Sequence, residues 1–304
     1  MTRYLVLGGN GFIGRHLVRH LIKQGVTPLV ADLSPGAAAP FIRVDYTKPA
    51  TLHNVLRGVD VVMHLAWTTT PQSGTDDPTS DVSENILGSL NLFRACVAQG
   101  VKRLVFCSSG GAVYGHAQSN PITEVHPLEP LSSYGITKLA VENYLRLFSR
   151  LHGIEYVILR PGNAYGEGQL GGKDQGVIAA CMKALLQNQR FTVWGDGTVT
   201  RDYVHVEDIA RAILAAAKVR TANHVFNIGS GRGLSINQLI ELIERITGRV
   251  VQVEYAAERQ IDARVNVLDS SLAKGAFGWT PAISIDEGLR RQWQFLVGGQ
   301  TAGK

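Results

Sequence analysis

Tyr4-Leu5-Val6-Leu7-Gly8-Gly9-Asn10-Gly11-Phe12-Ile13-Gly14 sets a short apolar run directly against a glycine-rich turn, after which Leu17, Val18, Leu21 and Ile22 recur at helical spacing. Strand, turn and helix therefore follow one another without a linker. Glycines at Gly8, Gly11 and Gly14 permit the tight turn, let the backbone approach a pyrophosphate, and let the helix pack on the strand. The N–H groups at Phe12 and Ile13 open the helix toward an anion. Glycine-rich turns are common, so the triad carries weight only in context. A second apolar run, Pro28 to Ala31, ends in Asp32, about where a ribose-binding carboxylate falls in a dinucleotide fold. A carboxylate there repels a 2′-phosphate, and the expected cofactor is NAD rather than NADP.

The same alternation continues downstream. Phe41 to Val44 reads as a third strand ending in Asp45, which is either an adenine contact or an N-cap for a helix from about Ala50 to Arg57. Val59 to Leu65 reads as a buried strand whose end, Leu65-Ala66, would line the cofactor crevice, with His64 a satisfied core histidine. Thr68 to Asp81 is polar with two prolines and is expected to be a mobile loop. A helix from Asn85 to about Gln99 and a strand from Arg103 to Cys107 follow. The expected fold is α/β, a Rossmann-type doubly wound parallel sheet with a smaller C-terminal substrate-binding lobe. By the family resemblance of motifs further along the chain, residues 1–162 are expected to form the NAD-binding part, rejoined by about 203–228, and 163–202 with 229–304 the lobe.

Composition narrows the class. A chain of 304 residues with 45% hydrophobic content can bury a large core. Cys96, Cys107 and Cys181 are odd in number and widely spaced, which excludes a disulfide framework and a metal knuckle; no metal is expected. With no leader-like N-terminus and no apolar run of membrane-spanning length, the chain reads as soluble and cytoplasmic, without a membrane partner. The net charge of +5 comes from scattered residues, so nucleic acid is not an expected partner.

Chemistry enters with Tyr134-Gly135-Ile136-Thr137-Lys138. Residues four apart share a helix face. A fixed positive charge about 4 Å from a phenol, at an effective dielectric of about 20, favours phenolate by about 4 kcal/mol, roughly three pKa units. The spacing thus predicts Tyr134 as a general base activated by Lys138. Upstream, Ser108-Ser109-Gly110-Gly111-Ala112-Val113-Tyr114-Gly115 closes a strand with small residues, placing hydroxyls near that phenol.

Together the glycine turn, Asp32, the Ser-Ser turn with Val-Tyr-Gly, and Tyr134-x-x-x-Lys138 resemble the extended short-chain dehydrogenase/reductase family, in its sugar-nucleotide epimerase/dehydratase branch. The resemblance runs on through Arg160-Pro161-Gly162-Asn163, Trp194-Gly195-Asp196-Gly197, Arg201-Asp202-Tyr203, Phe226-Asn227-Ile228-Gly229 and Gly278-Trp279-x-Pro281. It implies Pro161 beside the cofactor, Asn163 as a donor to a substrate phosphate, and Gln175 to Ile178 opening a helix over the nucleotide base. It also implies Phe191 to Trp194, with Val193, as a strand beside a uracil, and Arg201 and Arg259 on a diphosphate, with Asp262 completing an Arg-x-x-Asp pattern. Asn266 would gate the space near the sugar's 2-substituent, small enough to admit N-acetylated sugars. The implied reaction is NAD-dependent 4-epimerisation of a UDP-hexose, either UDP-glucose/UDP-galactose or the N-acetylated pair. A homodimer is implied too, built from the helix after Asn85 and the Tyr134 helix.

One departure stands out. Where epimerases of this family carry a Ser or Thr three residues before the Val of Val-Tyr-Gly, this chain has Gly110. Ser109 is the nearest replacement and Ser108 the next, either of which could instead stabilise the turn. The acidic pair of the dehydratases is also absent, with Gly110-Gly111-Ala112 in its place, which disfavours dehydration. A 5-epimerase, a 4-dehydratase, a 4-reductase and a catalytically weak dinucleotide sensor remain alternatives.

Overall fold

A computed structural model describes residues 2–36, 38–169, 176–221 and 224–301, the last three by backbone alone. The opening stretch folds as its pattern requires. Strand β1 (Tyr4–Leu7) leads through the glycine turn into α1 (Phe12–Lys23), and β2 (Leu29–Asp32) and β3 (Phe41–Arg43) follow. Helix α2 (Pro49–Val55) precedes β4 (Val61–His64). Beyond β4 the structure departs from expectation. Thr68 to Asp81 is not an open loop but carries two short helices, α3 (Pro71–Asp76) and α4 (Pro78–Asp81), begun by Thr70 and Asp77 side chains that accept from Ser73 and Ser80 N–H. A π-helical turn at Val82–Ile86 joins α4 to α5 (Leu87–Gln99), so the helix expected from Asn85 starts earlier.

Strand β5 (Arg103–Cys107) runs into the one-turn helix α6 (Gly110–Val113), and α7 (Ser133–His152) carries the Tyr-x-x-x-Lys pair. The chain continues through β6 (Glu155–Pro161), β7 (Asn163–Tyr165), α8 (Val177–Gln187), β8 (Phe191–Trp194) and β9 (Thr200–His205). It then forms α9 (Val206–Lys218), β10 (Val225–Ile228), β11 (Gly233–Ser235) and α10 (Ile236–Thr247), which opens on a Ser235/Gln238 capping box. Strands β12 (Val253–Ala256) and β13 (Val265–Asn266) and helices α11 (Ser271–Phe277) and α12 (Ile285–Thr301) complete it.

Among the described residues β3-β2-β1-β4-β5-β6-β10 form a parallel seven-stranded sheet. The order reverses between β1 and β4, and ligands of such sheets bind in the crevice outside the carboxyl ends at that reversal. Both faces are covered, which explains the near-continuous apolar strands. Leu17, Leu21, Ile209, Ile213 and Trp279 pack one face. Leu52, Leu92, Phe93, Val141 and Leu145 pack the other. A smaller mixed sheet, β11-β9-β13 with β7 on β9, and the pair β8-β12 sit against α8, α10 and α12 around a core of Met182, Leu185, Val193, Leu239 and Ile243. Among the described residues no helix is long and apolar enough to cross a membrane, and no cluster of three His, Cys, Asp or Glu side chains could hold a metal ion.

Candidate active site

The glycine turn lies at the β1–β4 reversal. Gly8 has φ +83°, and a Cβ there would come within 2.5 Å of the Ala66 nitrogen, so only glycine lets this turn meet the end of β4. A Cβ on Gly14 would collide with the backbone of Gly8 and Gly9, which is how α1 seats on β1. Gly11 caps α1 without a side-chain acceptor, leaving the first-turn N–H groups, Phe12 and Ile13 included, facing the crevice end. Leu65 and Ala66 both donate to Leu7 O and form the opposite wall. Asp32 ends β2 with Oδ2 accepting from Asn10 N at 3.0 Å and Oδ1 from Leu33 N at 2.7 Å, which fixes the carboxylate beside the turn. These features fit NAD: a side-chain-free cradle, an uncapped helix N-terminus and a fixed acid at the tip of the second strand. Asp45, two residues past β3, is held in a local turn. It accepts from Thr47 N and Oγ1 and pairs with Lys48 at 3.2 Å, closing the turn ahead of α2, for which Lys48 is the N-cap.

Tyr134 and Lys138 share a face of α7, but the ammonium does not sit against the phenol. Lys138 Nζ donates to Cys107 O at 2.8 Å, lies 3.7 Å from the Trp67 ring centroid and 5.6 Å from that of Tyr134. Burial is the largest influence on the phenol and raises its pKa, with Cys107 and Asp81 pushing the same way and the Ser109 hydroxyl opposing them. The expected three-unit depression by Lys138 is not found: desolvation dominates, and the ammonium is directed at a carbonyl and an indole rather than at the phenol. Burial draws Lys138 down to about 8, against upward pulls from Cys107, Glu142 and Asp81.

The two serines separate clearly. Ser109 acts on the phenol, its hydroxyl drawing the Tyr134 pKa down against burial. Ser108 is buried and donates to Glu142 Oε1 at 2.6 Å, so its hydroxyl is committed to the scaffold rather than to the phenol. Gly110 has a steric reason, since a Cβ there would lie 2.8 Å from Arg160 O and 2.6 Å from Leu268 Cδ1. Pro161 ends β6, buried, behind this turn.

The lobe residues form a second cluster. Arg201 on β9 reaches Asp262 Oδ1 at 3.1 Å, Arg259 reaches Asp262 Oδ2 at 3.0 Å, and the Arg259 guanidinium lies 5.3 Å from the Trp194 ring centroid. One carboxylate thus holds two guanidiniums side by side. Asn266 pairs with Arg201 across β13 and β9, is buried, and donates from Nδ2 to Gly110 O at 3.0 Å, leaving Oδ1 buried without a partner. It ties the arginine cluster to the Ser109 turn. Asn163 lies nearby, its Oδ1 3.1 Å from where a Gly111 Cβ would stand. Val193 is a correction: its side chain is buried in the lobe core, so it can offer a ligand only backbone. Gly176 and Val177 open α8, whereas Gln175 lies outside the described residues.

Several side chains around the phenol have roles that differ from their sequence reading or are missing from it, the expected satisfied state of His64 included. Asp81 accepts from Thr69, Asn85, Ser133 and Thr137, pinning the α3–α4 segment onto the start of α7. Asn85 in the π-turn accepts from Tyr46 and Thr68. His64 is only half satisfied: Nε2 meets Ser89 at 3.0 Å, Nδ1 has no partner, and burial lowers its pKa to about 3. Trp67 directly follows Ala66, a position adjacent to residues already singled out, and was legible to that extent.

A dinucleotide cradle and a Tyr-Lys-Ser group on one doubly wound sheet define an NAD-dependent oxidoreductase-type fold. Residues 4–229 match the NAD dependent epimerase/dehydratase family, and the chain belongs to it. A UDP-glucose 4-epimerase of Thermotoga maritima, solved with UDP-glucose, is 36% identical with a TM-score of 0.94, covering 98% of this chain and 100% of its own. A UDP-glucose 4-epimerase of Thermus thermophilus, solved with NAD, is 33% identical with a TM-score of 0.91, covering 98% of this chain and 99% of its own. A UDP-glucuronate 4-epimerase of Thermodesulfobacterium geofontis is 31% identical, over 96% of this chain and 95% of its own. The chain is thus similar to enzymes acting on different UDP-sugars, and NAD is the family's cofactor.

Proposed function

We propose that this enzyme is a UDP-hexose 4-epimerase that retains NAD and works through a transient 4-keto sugar. The observation that carries the reading is the placing of the Tyr134–Lys138 pair at the carboxyl end of β5, beside a turn, Ser109-Gly110, that Asn266 links to the Arg201–Asp262–Arg259 cluster. Residues 1–162 with 203–228 hold NAD, and 163–202 with 229–304 hold the nucleotide sugar. Tyr134 takes the C4 hydroxyl proton, Ser109 orients that hydroxyl, and Lys138 supplies positive charge behind the ring. The Gly8–Gly14 turn and Asp32 would hold NAD, which would supply the hydride acceptor and donor. Arg201 and Arg259 grip the diphosphate through charge-assisted bonds, while the sugar stays loosely held so that the ketone presents both faces. Asn266, smaller than an aromatic gate, leaves room for a 2-acetamido group, so the N-acetylated pair is included.

Ile136, Tyr144, Leu147 and Leu151 are exposed along one side of α7, and Leu87 is exposed on α5. We assign this stripe to a homodimer interface, which sedimentation analysis tests directly. The free buried cysteines suit a reducing cytoplasm.

The deciding experiment incubates purified protein with UDP-glucose or UDP-N-acetylglucosamine, without added nicotinamide, and follows the sugar by NMR. Interconversion of the C4 epimers is expected, and Tyr134→Phe should abolish it while retaining NAD. Conversion only with stoichiometric reduction of added NAD, or solvent deuterium entering C5, overturns the assignment.

A further inference from the structure

Lys138 is almost wholly buried, yet neither nearby carboxylate pairs with it. Glu142 is engaged by Arg160 at 2.6 Å, and Asp81 by the hydroxyls and amide that surround it. An ammonium has three donors. One goes to Cys107 O at 2.8 Å, and the indole of Trp67 lies 3.7 Å from Nζ at its centroid, with the Phe106 centroid at 5.0 Å. Such stacking is strongest for tryptophan and stronger still when desolvated. The same indole packs edge-on against Tyr134, centroids 6.1 Å apart at 79°, so one ring touches both members of the pair. Its own Nε1 is buried with no partner. A phenylalanine would fill much of that space without an orphaned donor, so the larger π-face is the feature the site uses.

We propose that Trp67 is a positioning residue that seats the Lys138 ammonium on its indole face and fixes its distance from Tyr134. This rests on the reading of Tyr134 and Lys138 as the reactive pair. The titratable groups facing Lys138 are Tyr134 and Glu142 from α7, Cys107 from β5, His64 from β4 and Asp81 from α4. A π-face favours the charged amine, so removing it lowers the lysine's pKa further below about 8.

Two measurements on the full chain with NAD test this. The first needs no substrate: indole fluorescence is titrated from pH 6 to 10. A step near pH 8 is expected in the wild type and lost in both Lys138→Met and Trp67→Phe; a step that persists in either variant, or is absent in the wild type, overturns the proposal. The second follows the basic limb of kcat/KM. It should move to lower pH by about one unit in Trp67→Leu and by less in Trp67→Phe; a limb unmoved in both overturns the proposal. If Trp67→Leu does not fold, Trp67→Phe alone decides this second arm. If no nucleotide sugar is turned over, the epimerase reading falls, while the fluorescence titration still decides the role of Trp67.

Discussion

Arg160 grips both carboxylate oxygens of Glu142, Nε to Oε1 at 3.0 Å and Nη2 to Oε2 at 2.6 Å, with neither side chain reached by solvent. The pair also takes in Ser108, which donates to Glu142, and Tyr114, which accepts from Arg160 at 3.0 Å and donates to Asn227 at 2.6 Å. It therefore anchors the turn bearing Ser109 to α7 and β6. Leaving one buried charge without its partner costs about 3–5 kcal/mol. Glu142→Gln should lower unfolding stability by roughly that amount in a urea titration, and a loss under about 1 kcal/mol would show the pair to be dispensable.

Asp81 is among the groups holding the Tyr134 phenol above its ordinary pKa. Asp81→Asn removes the charge while keeping one acceptor for Ser133 or Thr137. Because a nearby negative charge disfavours phenolate, its loss lowers the phenol's pKa. Asp81 also pulls Lys138 up, so both limbs of the pH–rate profile should move to lower pH, by about half to one unit; movement in the opposite direction would contradict the assigned role.

Restoring a hydroxyl at the departing position should fail. In Gly110→Ser the new Cβ meets the Arg160 carbonyl, which is backbone and cannot rotate away. Overpacking of this kind costs about 1–3 kcal/mol. A thermal scan should show a lower midpoint, and turnover should drop rather than rise. A variant as stable as the parent and faster would mean that Ser109 is not the hydroxyl the reaction uses.

Glu167 ties the end of β9 and α12 to the segment after β7, accepting from Arg291 at 2.7 Å and lying 2.9 Å from His205 Nε2. Burial pushes its pKa up, but His205 and Arg291 outweigh that and hold it near about 2 against an ordinary 4.5. The folded carboxyl is thus depressed, so its stabilisation, on the order of 2 kcal/mol, is complete above about pH 4.5 and vanishes as pH falls toward 2. Burial also lowers His16 to about 4, so protonation of the unfolded chain favours unfolding as pH falls from about 6.5 to 4. Melting temperature should decline through both windows, and the difference between the parent and Glu167→Gln should close between about pH 4.5 and 2.

What could be read along the chain was whatever depends on spacing alone. Gly8, Gly11 and Gly14 are set by a turn geometry that only glycine satisfies, Asp32 by the length of one β-α-β unit, and the Ser235/Gln238 cap by a three-residue interval. The strands showed because a sheet covered on both faces demands unbroken apolar runs. Tertiary structure decided the rest, since burial and charge proximity come from segments far apart in the chain. Asp81, in a stretch that reads as a polar loop, becomes structural only when Ser133 and Thr137 arrive more than fifty residues later. Ser108 and Ser109 are adjacent and chemically identical, and are told apart only by which faces Glu142 and which faces Tyr134. The ionisation of Tyr134, inferred from one lysine four residues away, is governed instead by desolvation from everything packed around it, a quantity no linear spacing contains.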